Sequence, residues 1–185
     1  MAIILPSHKL VIFEIPKTGT TWQREALTQC GTEWHDLQPI TDMVCPRHSP
    51  PHCYNIPKDY QTVCAVRRPL AHLKSFYFYH KGKYLENIVP KRYYAHYHLW
   101  STADTFEKYI QQLPPAPVSR IFDLFTPFCD HILHQETLSQ EFNKLLNIDT
   151  SNTPPTNQSN RPTYMKNSFP QLEPELIRIE RQYYA

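Results

Sequence analysis

One short segment carries four side chains suited to holding an anion: Lys17, Thr18, Thr20 and Thr21. They follow an apolar run and come just before a stretch that we predict to be helical. The first N–H groups of a helix have no partner within the helix and carry partial positive charge, so they stabilise a phosphate or sulfate placed there. A lysine and three hydroxyl groups add charge and hydrogen-bond donors at the same point. The segment therefore predicts an anion site.

A strand and a helix must position this site. Residues 11–15, apolar except for Glu14, are typical of a buried strand, and we predict a helix that begins near Trp22 and ends at Cys30, where Gly31 is a natural stop. The phosphate loop of ATPases, GxxxxGK[ST], is not matched, because the lysine here comes two residues before the glycine instead of directly after one. The site is therefore expected to belong to another class.

Seven consecutive residues carry a family resemblance: Pro16, Lys17, Thr18, Gly19, Thr20, Thr21 and Trp22. This PKTGTTW segment closely resembles the 5′-phosphosulfate loop, PK[ST]GTTW, of the sulfotransferases that use 3′-phosphoadenosine 5′-phosphosulfate (PAPS). The resemblance implies that the segment from Lys17 to Trp22 binds the nucleotide. Lys17 would neutralise the bridging or leaving oxygen, Thr20 and Thr21 would hold the 5′-phosphate, and Trp22 would stack on adenine.

A second unit of the same kind follows along the chain. Residues 62–66 form a mostly apolar run suited to a central parallel strand, and a helix is predicted at about residues 70–79. Between them, the pattern RxPxxxxxS resembles the 3′-phosphate motif of the same family, which implies that Arg67 and Ser75 hold the 3′-phosphate. His72 stands where many members of the family have an arginine. Loops after adjacent parallel strands emerge at one edge of a sheet, where nucleotides bind.

The resemblance and the alternation of strands and helices predict an α/β fold of the P-loop sulfotransferase type. We expect three layers, with a central, mainly parallel sheet flanked by helices. At 185 residues the chain is expected to form a single domain, residues 1–185, with a flexible loop at about residues 149–163. Asn160 and Arg161 fall where the family's late loop closes over the nucleotide, but the glycines usual in that loop are missing.

Later elements are predicted from their apolar patterns. A helix is expected at residues 105–112 with Asp104 as its N-cap, and another at about residues 173–184. Between them, a strand at residues 132–133 should lead into a helix that ends near residue 148. Earlier, residues 43–45 suggest a short strand.

The acceptor of a sulfuryl group must lose a proton, and a histidine that is neutral near pH 7 suits that task. His48 is the first candidate for this base. It lies between the two phosphate motifs in an HxP context, where the cytosolic sulfotransferases carry their catalytic histidine. His52 and His35 are further candidates, and Glu14 is another because some carbohydrate sulfotransferases use a glutamate base.

One cluster of residues could supply zinc ligands: Cys45, His48, His52 and Cys53. Two adjacent prolines stand between the histidines and prevent the helix that would place both on one face, so no metal is expected to be required. The five cysteines are odd in number and contain no CxxC pair, which indicates free thiols in a reducing compartment. The first residues are apolar only in short pieces, so we expect a soluble, cytoplasmic protein with no membrane partner.

The predicted activity is transfer of a sulfuryl group from PAPS to a hydroxyl or amine of an acceptor, such as a carbohydrate or a small molecule, with PAP as product. The net charge of +2 is nearly balanced, and no nucleic-acid partner is expected. Residues 79–100 are rich in tyrosine and lysine and either line an acceptor cleft or pack as a helical subdomain. The alternatives are a nucleotide kinase-like protein and a non-catalytic nucleotide-binding P-loop protein.

Overall fold

The structure, a computed structural model, describes residues 1–40, 46–85, 103–154 and 169–184. Contacts within the chain divide it into two compact units. Unit 1 comprises Met1–Arg67 and Arg120–Gln158, and unit 2 comprises Arg68–Ser119 and Ser159–Ala185. The described residues have an α/β fold with a mixed five-stranded sheet and six α-helices. The expectation of a single domain over residues 1–185 stays a prediction.

The sheet belongs to unit 1. Its strands are β1 (Ala2–Leu5), β2 (Leu10–Phe13), β3 (His35–Leu37), β4 (Gln61–Val66) and β5 (His131–His134). They lie in the order β3-β1-β2-β4-β5. The pairs β2–β4 and β4–β5 are parallel, whereas β1 is antiparallel to both β2 and β3. The expectation of a central parallel strand at residues 62–66 is confirmed.

The expectation of a mainly parallel sheet is not confirmed, because two of the four neighbouring pairs are antiparallel. The cause lies in the short connection between β1 and β2, a 3₁₀ turn at Pro6–His8 followed by Lys9 in the left-handed conformation at φ 49°. So short a connection can join only antiparallel neighbours, since a parallel pair needs a crossover of a dozen or more residues.

The helices are α1 (Thr20–Gln29), α2 (Pro69–Leu85), α3 (Phe106–Gln112), α4 (Pro117–Phe122), α5 (Leu138–Leu146) and α6 (Glu173–Tyr183). Each helix predicted from the sequence is present. Helix α1 begins at Thr20, earlier than predicted, because Gly19 adopts a left-handed conformation and becomes the N-cap. Helix α2 continues beyond the predicted end.

Two helices cover one face of the sheet in unit 1. Alternate residues of the strands point to this face, and together with side chains of α1 and α5 they form a buried core of Ile3, Leu5, Leu10, Ile12, Ala26, Leu27, Val63, Ala65, Leu133, Leu138, Phe142 and Leu146. Through Ala26 and Leu27 this core packs α1 against the sheet. The turn from β2 into α1 thus joins two elements of one core.

Unit 2 is organised around aromatic side chains. The ring of Tyr77 on α2 lies 5.7 Å from that of Phe106 and 5.4 Å from that of Tyr109, both on α3. The Tyr77 hydroxyl donates to the main-chain oxygen of Asp104 at 2.9 Å. Helix α2 extends to Leu85, so the first residues of the tyrosine-rich region are helical.

The N-cap of α3 is Thr105, and the expectation that Asp104 fills this position is wrong. Thr105 has extended dihedral angles and its Oγ1 accepts from the Lys108 N–H at 3.3 Å, while the Asp104 carboxylate pairs with the Lys108 ammonium at 2.9 Å. Thr105→Ala should lower the free energy of unfolding by about 1 kcal/mol, because a helix N–H loses its acceptor. Urea titration would show this loss, and Thr105→Ser, which keeps the hydroxyl, should be close to neutral.

Candidate functional site

The predicted anion segment forms the turn between β2 and α1. Lys17 and Gly19 both adopt the left-handed conformation, at φ 68° and φ 92°. Gly19 is the N-cap of α1, and its carbonyl accepts from the Gln23 N–H at 3.0 Å. No side chain among the described residues caps this helix. The N–H groups of its first turn are therefore not taken by a side-chain cap, as an anion site requires.

Thr18 and Gly19 fix the shape of this turn. The Thr18 hydroxyl donates to the main-chain oxygen of Ile15 at 2.8 Å, and the Thr18 side chain is fully buried. A Cβ on Gly19 would lie 2.8 Å from a methyl carbon of Leu138 at the start of α5. Position 19 thus needs glycine both for its positive φ and for the close approach of α5. The Thr18 hydroxyl is therefore engaged inside the turn, and the predicted role of Thr18 in nucleotide binding stays a prediction.

Arg67 joins the turn from the neighbouring strand. It follows the end of β4, which is parallel and adjacent to β2, and its Nη1 donates to the main-chain oxygen of Lys17 at 3.2 Å. The expectation that the two loops emerge at one edge of the sheet is confirmed. Arg68 belongs to unit 2, where it pairs with Glu180 at 3.1 Å and lies 4.9 Å from the centre of the Tyr184 ring.

Ser75, the second residue of the predicted 3′-phosphate motif, lies on α2 in unit 2 and is buried. His72, where the family pattern has an arginine, is also buried and its ring packs edge-on against Phe76, with 5.0 Å between ring centres. The role of Ser75 stays a prediction from the sequence.

Glu14, directly before the turn, is a buried carboxylate that binds two arginines. Its Oε1 accepts from Arg24 Nε at 2.9 Å and from Arg47 Nε at 3.1 Å, and its Oε2 accepts from Arg24 Nη2. Arg24 also pairs with Asp36 at 2.8 Å. The hydrogen bonds to Glu14 hold the pKa of Arg24 above its usual range, although burial opposes this. Arg24 binds both carboxylate oxygens and Arg47 binds one of them, so Glu14 is poorly placed to take a proton from an acceptor.

His48 is held against the same residue by a different contact. It ends the 3₁₀ turn Pro46–His48, and its Nδ1 lies 2.7 Å from the main-chain oxygen of Glu14. A carbonyl oxygen only accepts, so Nδ1 carries the proton and the lone pair of the neutral ring is on Nε2. Burial lowers the pKa of His48 below its ordinary value, and the contacts with Glu14 offset this only in part. A largely buried, neutral imidazole of defined tautomer is suited to act as a base.

The other candidate histidines lack such a setting. His52 is exposed, and His35 on β3 is an exposed side chain that pairs with Glu33 at 3.2 Å. Neither shares the contact that His48 makes with Glu14. Of the three candidate histidines, His48 is the one whose tautomer is fixed by a main-chain oxygen, and its role as a base stays a prediction.

The last residues of the PKTGTTW segment lie on the first turn of α1. Thr20 is mostly buried and its Oγ1 accepts from Arg47 Nη2 at 3.4 Å, while Thr21 is partly exposed. The Trp22 ring packs edge-on against Phe142 of α5, with 5.8 Å between ring centres. Its predicted stacking on adenine stays a prediction.

Arg47 and Arg24 bind the Glu14 carboxylate, and Asp36 pairs with Arg24; the sequence did not predict this charged cluster. Arg47 stands next to His48, so the histidine was a usable signal for it. Arg24 and Asp36 had no such signal in the sequence. Arg24 on α1 contacts Glu14, and Asp36 on the edge strand β3 contacts Arg24, so both contacts depend on tertiary structure.

Several predicted features lie outside the described residues. These are Asn160 and Arg161, the short strand at residues 43–45 with Cys45 of the possible zinc cluster, and most of the tyrosine-rich region before Trp100. Within the described ranges, no group of three or more histidine, cysteine, aspartate or glutamate side chains is arranged to hold a metal ion. The helices in those ranges include none long and apolar enough to cross a bilayer.

A scan of protein-family models found no match to the chain, and searches of curated proteins and of solved structures found none either. Function must therefore be inferred from the chain's own residues and their geometry.

Proposed function

We propose that this protein is a PAPS-dependent sulfotransferase with a P-loop sulfotransferase-like fold, which transfers a sulfuryl group to a hydroxyl or amine of an acceptor such as a carbohydrate or a small molecule. One observation carries the proposal. The PKTGTTW segment forms the turn from β2 into α1, with Lys17 and Gly19 left-handed, and Arg67 from the adjacent parallel strand donates to it. The turn has the donors that a 5′-phosphosulfate needs.

PAPS carries anionic groups at both ends of its ribose. The main-chain N–H groups at the start of α1, with the hydroxyls of Thr20 and Thr21, are assigned to the 5′-phosphosulfate. Arg67 is assigned to the 3′-phosphate at the same sheet edge. The further roles of Ser75, Asn160 and Arg161 in nucleotide binding rest on the sequence pattern alone.

The proposed reaction is an in-line displacement at sulfur. The acceptor oxygen or nitrogen attacks sulfur, the bond between sulfur and the bridging phosphate oxygen breaks, and PAP leaves with the bonding electron pair. The acceptor proton passes to Nε2 of His48, whose Nδ1–H is held by the Glu14 carbonyl. Lys17 stabilises the negative charge that develops on the leaving oxygen. Positioning and electrostatic stabilisation carry such a transfer, as they do in phosphoryl transfer.

Nucleotide preference tests the proposal directly. In calorimetric titrations without added metal, the protein should bind PAP more tightly than ATP, because PAP matches two separate anion sites whereas the triphosphate of ATP suits a lysine placed after glycine in a longer loop. Lack of PAP binding, or tighter binding of ATP, would contradict the proposal. PAP binding without transfer of labelled sulfate to any hydroxyl or amine acceptor supplied would instead indicate a non-catalytic nucleotide-binding protein.

A further inference from the structure

We propose that Glu14 is a positioning residue that holds Arg47 at the start of α1, where the Arg47 guanidinium binds the 5′ anionic group of the nucleotide. This inference rests on the proposed function and adds to it an anion-binding side chain that lies outside both phosphate motifs. The buried carboxylate of Glu14 has the role of orienting the Arg47 side chain.

The contacts of Arg47 place its charge beside the first turn of α1. Its Nε and Nη2 lie 3.1 and 3.0 Å from Glu14 Oε1, and Nη2 lies 3.4 Å from the hydroxyl oxygen of Thr20. Thr20 is assigned to the 5′-phosphate. A phosphate oxygen that accepts from the Thr20 hydroxyl is therefore also within reach of the Arg47 guanidinium. This group pairs well with phosphate because its donors are fixed in a plane.

Burial separates the roles of the two partners. The Glu14 side chain is 0 % exposed, whereas 37 % of the Arg47 side chain is exposed. A carboxylate that solvent does not reach holds its partner in one orientation, and a guanidinium with part of its surface open remains accessible to a ligand. Arg47 thus has the two properties that a preorganised anion-binding group needs: a fixed direction and an accessible face.

The second arginine on Glu14 differs in both respects. Arg24 is 17 % exposed, binds both oxygens of Glu14, pairs with Asp36 and lies 5.1 Å from the centre of the Trp34 ring. Its positive charge is balanced by two neighbouring carboxylates, so its attraction for a ligand anion is weak. Arg24 therefore anchors the Glu14 carboxylate, and Arg47 is the arginine that contacts Thr20 at the start of α1.

The same residue also fixes the proposed base. The side chain of Glu14 holds Arg47, and its main-chain oxygen accepts from His48 Nδ1 at 2.7 Å. One position directly before the turn therefore sets the direction of an anion-binding group and the tautomer of the base. The contact with His48 depends on the main chain, so a side-chain substitution at residue 14 should act through Arg47.

The test compares two nucleotides that differ only in the 5′ group. Wild type and Arg47→Gln are titrated by calorimetry with PAP and with adenosine 3′-monophosphate, which lacks the 5′-phosphate. Arg47→Gln should weaken PAP binding by about tenfold to a hundredfold, as loss of a charge-assisted hydrogen bond does, and leave the binding of the monophosphate unchanged. A merely structural role of Arg47 would weaken both nucleotides equally.

Glu14→Gln and the double variant Glu14→Gln/Arg47→Gln then test the positioning role. Glu14→Gln should lower the ratio of PAP to monophosphate affinity, and adding it to Arg47→Gln should lower the ratio no further, because both act through one contact. Asp36→Asn is the matched control: it removes one carboxylate from Arg24 without touching Arg47, and should keep the wild-type ratio. Circular dichroism of each variant shows whether it is folded. If Glu14→Gln does not fold, Glu14→Asp, which keeps the charge but withdraws the carboxylate from Arg47, takes its place in both the single and the double variant.

The outcomes separate the inference from the proposed function. If wild type binds PAP and Arg47→Gln keeps the wild-type ratio of the two affinities, the inference is wrong while the sulfotransferase proposal stands. If the double variant loses the sum of the two single effects, Glu14 does not act through Arg47. If wild type does not bind PAP, the proposed function fails and the inference with it.

Discussion

Replacement of Lys17 by glycine is expected to lower the rate of sulfuryl transfer about a hundredfold to a thousandfold, the cost of removing one group that stabilises charge in a transition state. The free energy of unfolding should change by less than about 1 kcal/mol, because glycine adopts the left-handed conformation of Lys17 without the strain that a side chain adds, and its greater freedom in the unfolded chain offsets this gain. Steady-state transfer of labelled sulfate and urea titration measure the two quantities.

The chain offers a closely matched control for this substitution. Lys9 is also left-handed, at φ 49°, and its exposed ammonium pairs with Asp59 at 2.9 Å. Lys9→Gly makes the same chemical change in the same backbone conformation, away from the turn between β2 and α1. Its transfer rate should equal that of wild type. If the Lys17→Gly and Lys9→Gly variants transferred sulfate at equal rates, Lys17 would have no role in the reaction.

The elements that the sequence predicted well are those whose side chains carry a clear pattern. After an exposed Gln61, β4 is buried on both faces and mostly apolar, because both of its neighbours are parallel and both of its faces are covered. β3 shows the opposite case, since His35 and Asp36 are exposed and the strand exists through its main-chain pairing with β1. No pattern of apolar side chains marks such an edge strand, and so it was not predicted.

The site divides in the same way. The turn from β2 into α1 could be predicted because its seven residues are consecutive and some of them have a local conformational task, such as the positive φ of Gly19. The cluster around Glu14 could not, because it joins residues 10 and 33 positions apart that meet only when β2, α1 and the Pro46–His48 turn pack together. A lone glutamate before a turn has no periodicity, and its partners follow from tertiary structure alone.

His48→Asn is expected to lower the transfer rate about a hundredfold to ten-thousandfold, the usual contribution of a general base. The asparagine amide NH₂ can keep the hydrogen bond that His48 Nδ1 makes to the Glu14 carbonyl, whereas the basic Nε2 is lost. The binding of PAP should therefore stay close to that of wild type while turnover falls. Exposed His52, replaced by asparagine, is the matched control and should leave both quantities unchanged.

The pH dependence of turnover distinguishes a base from a residue that only supports the turn. Burial lowers the pKa of His48 from its ordinary value of 6.5, so the ring stays neutral at neutral pH and takes up a proton only in more acidic solution. The wild-type rate should rise with pH through a midpoint below that value and then level off, and His48→Asn should lack this rise. As pH falls below 6.5, His48 binds a proton in the unfolded chain before it does so in the folded protein. The free energy of unfolding should therefore decrease between that pH and the lower pKa of His48 in the folded protein. A wild-type rate without an acid limb, or a variant that keeps one, would assign the proton transfer to another group.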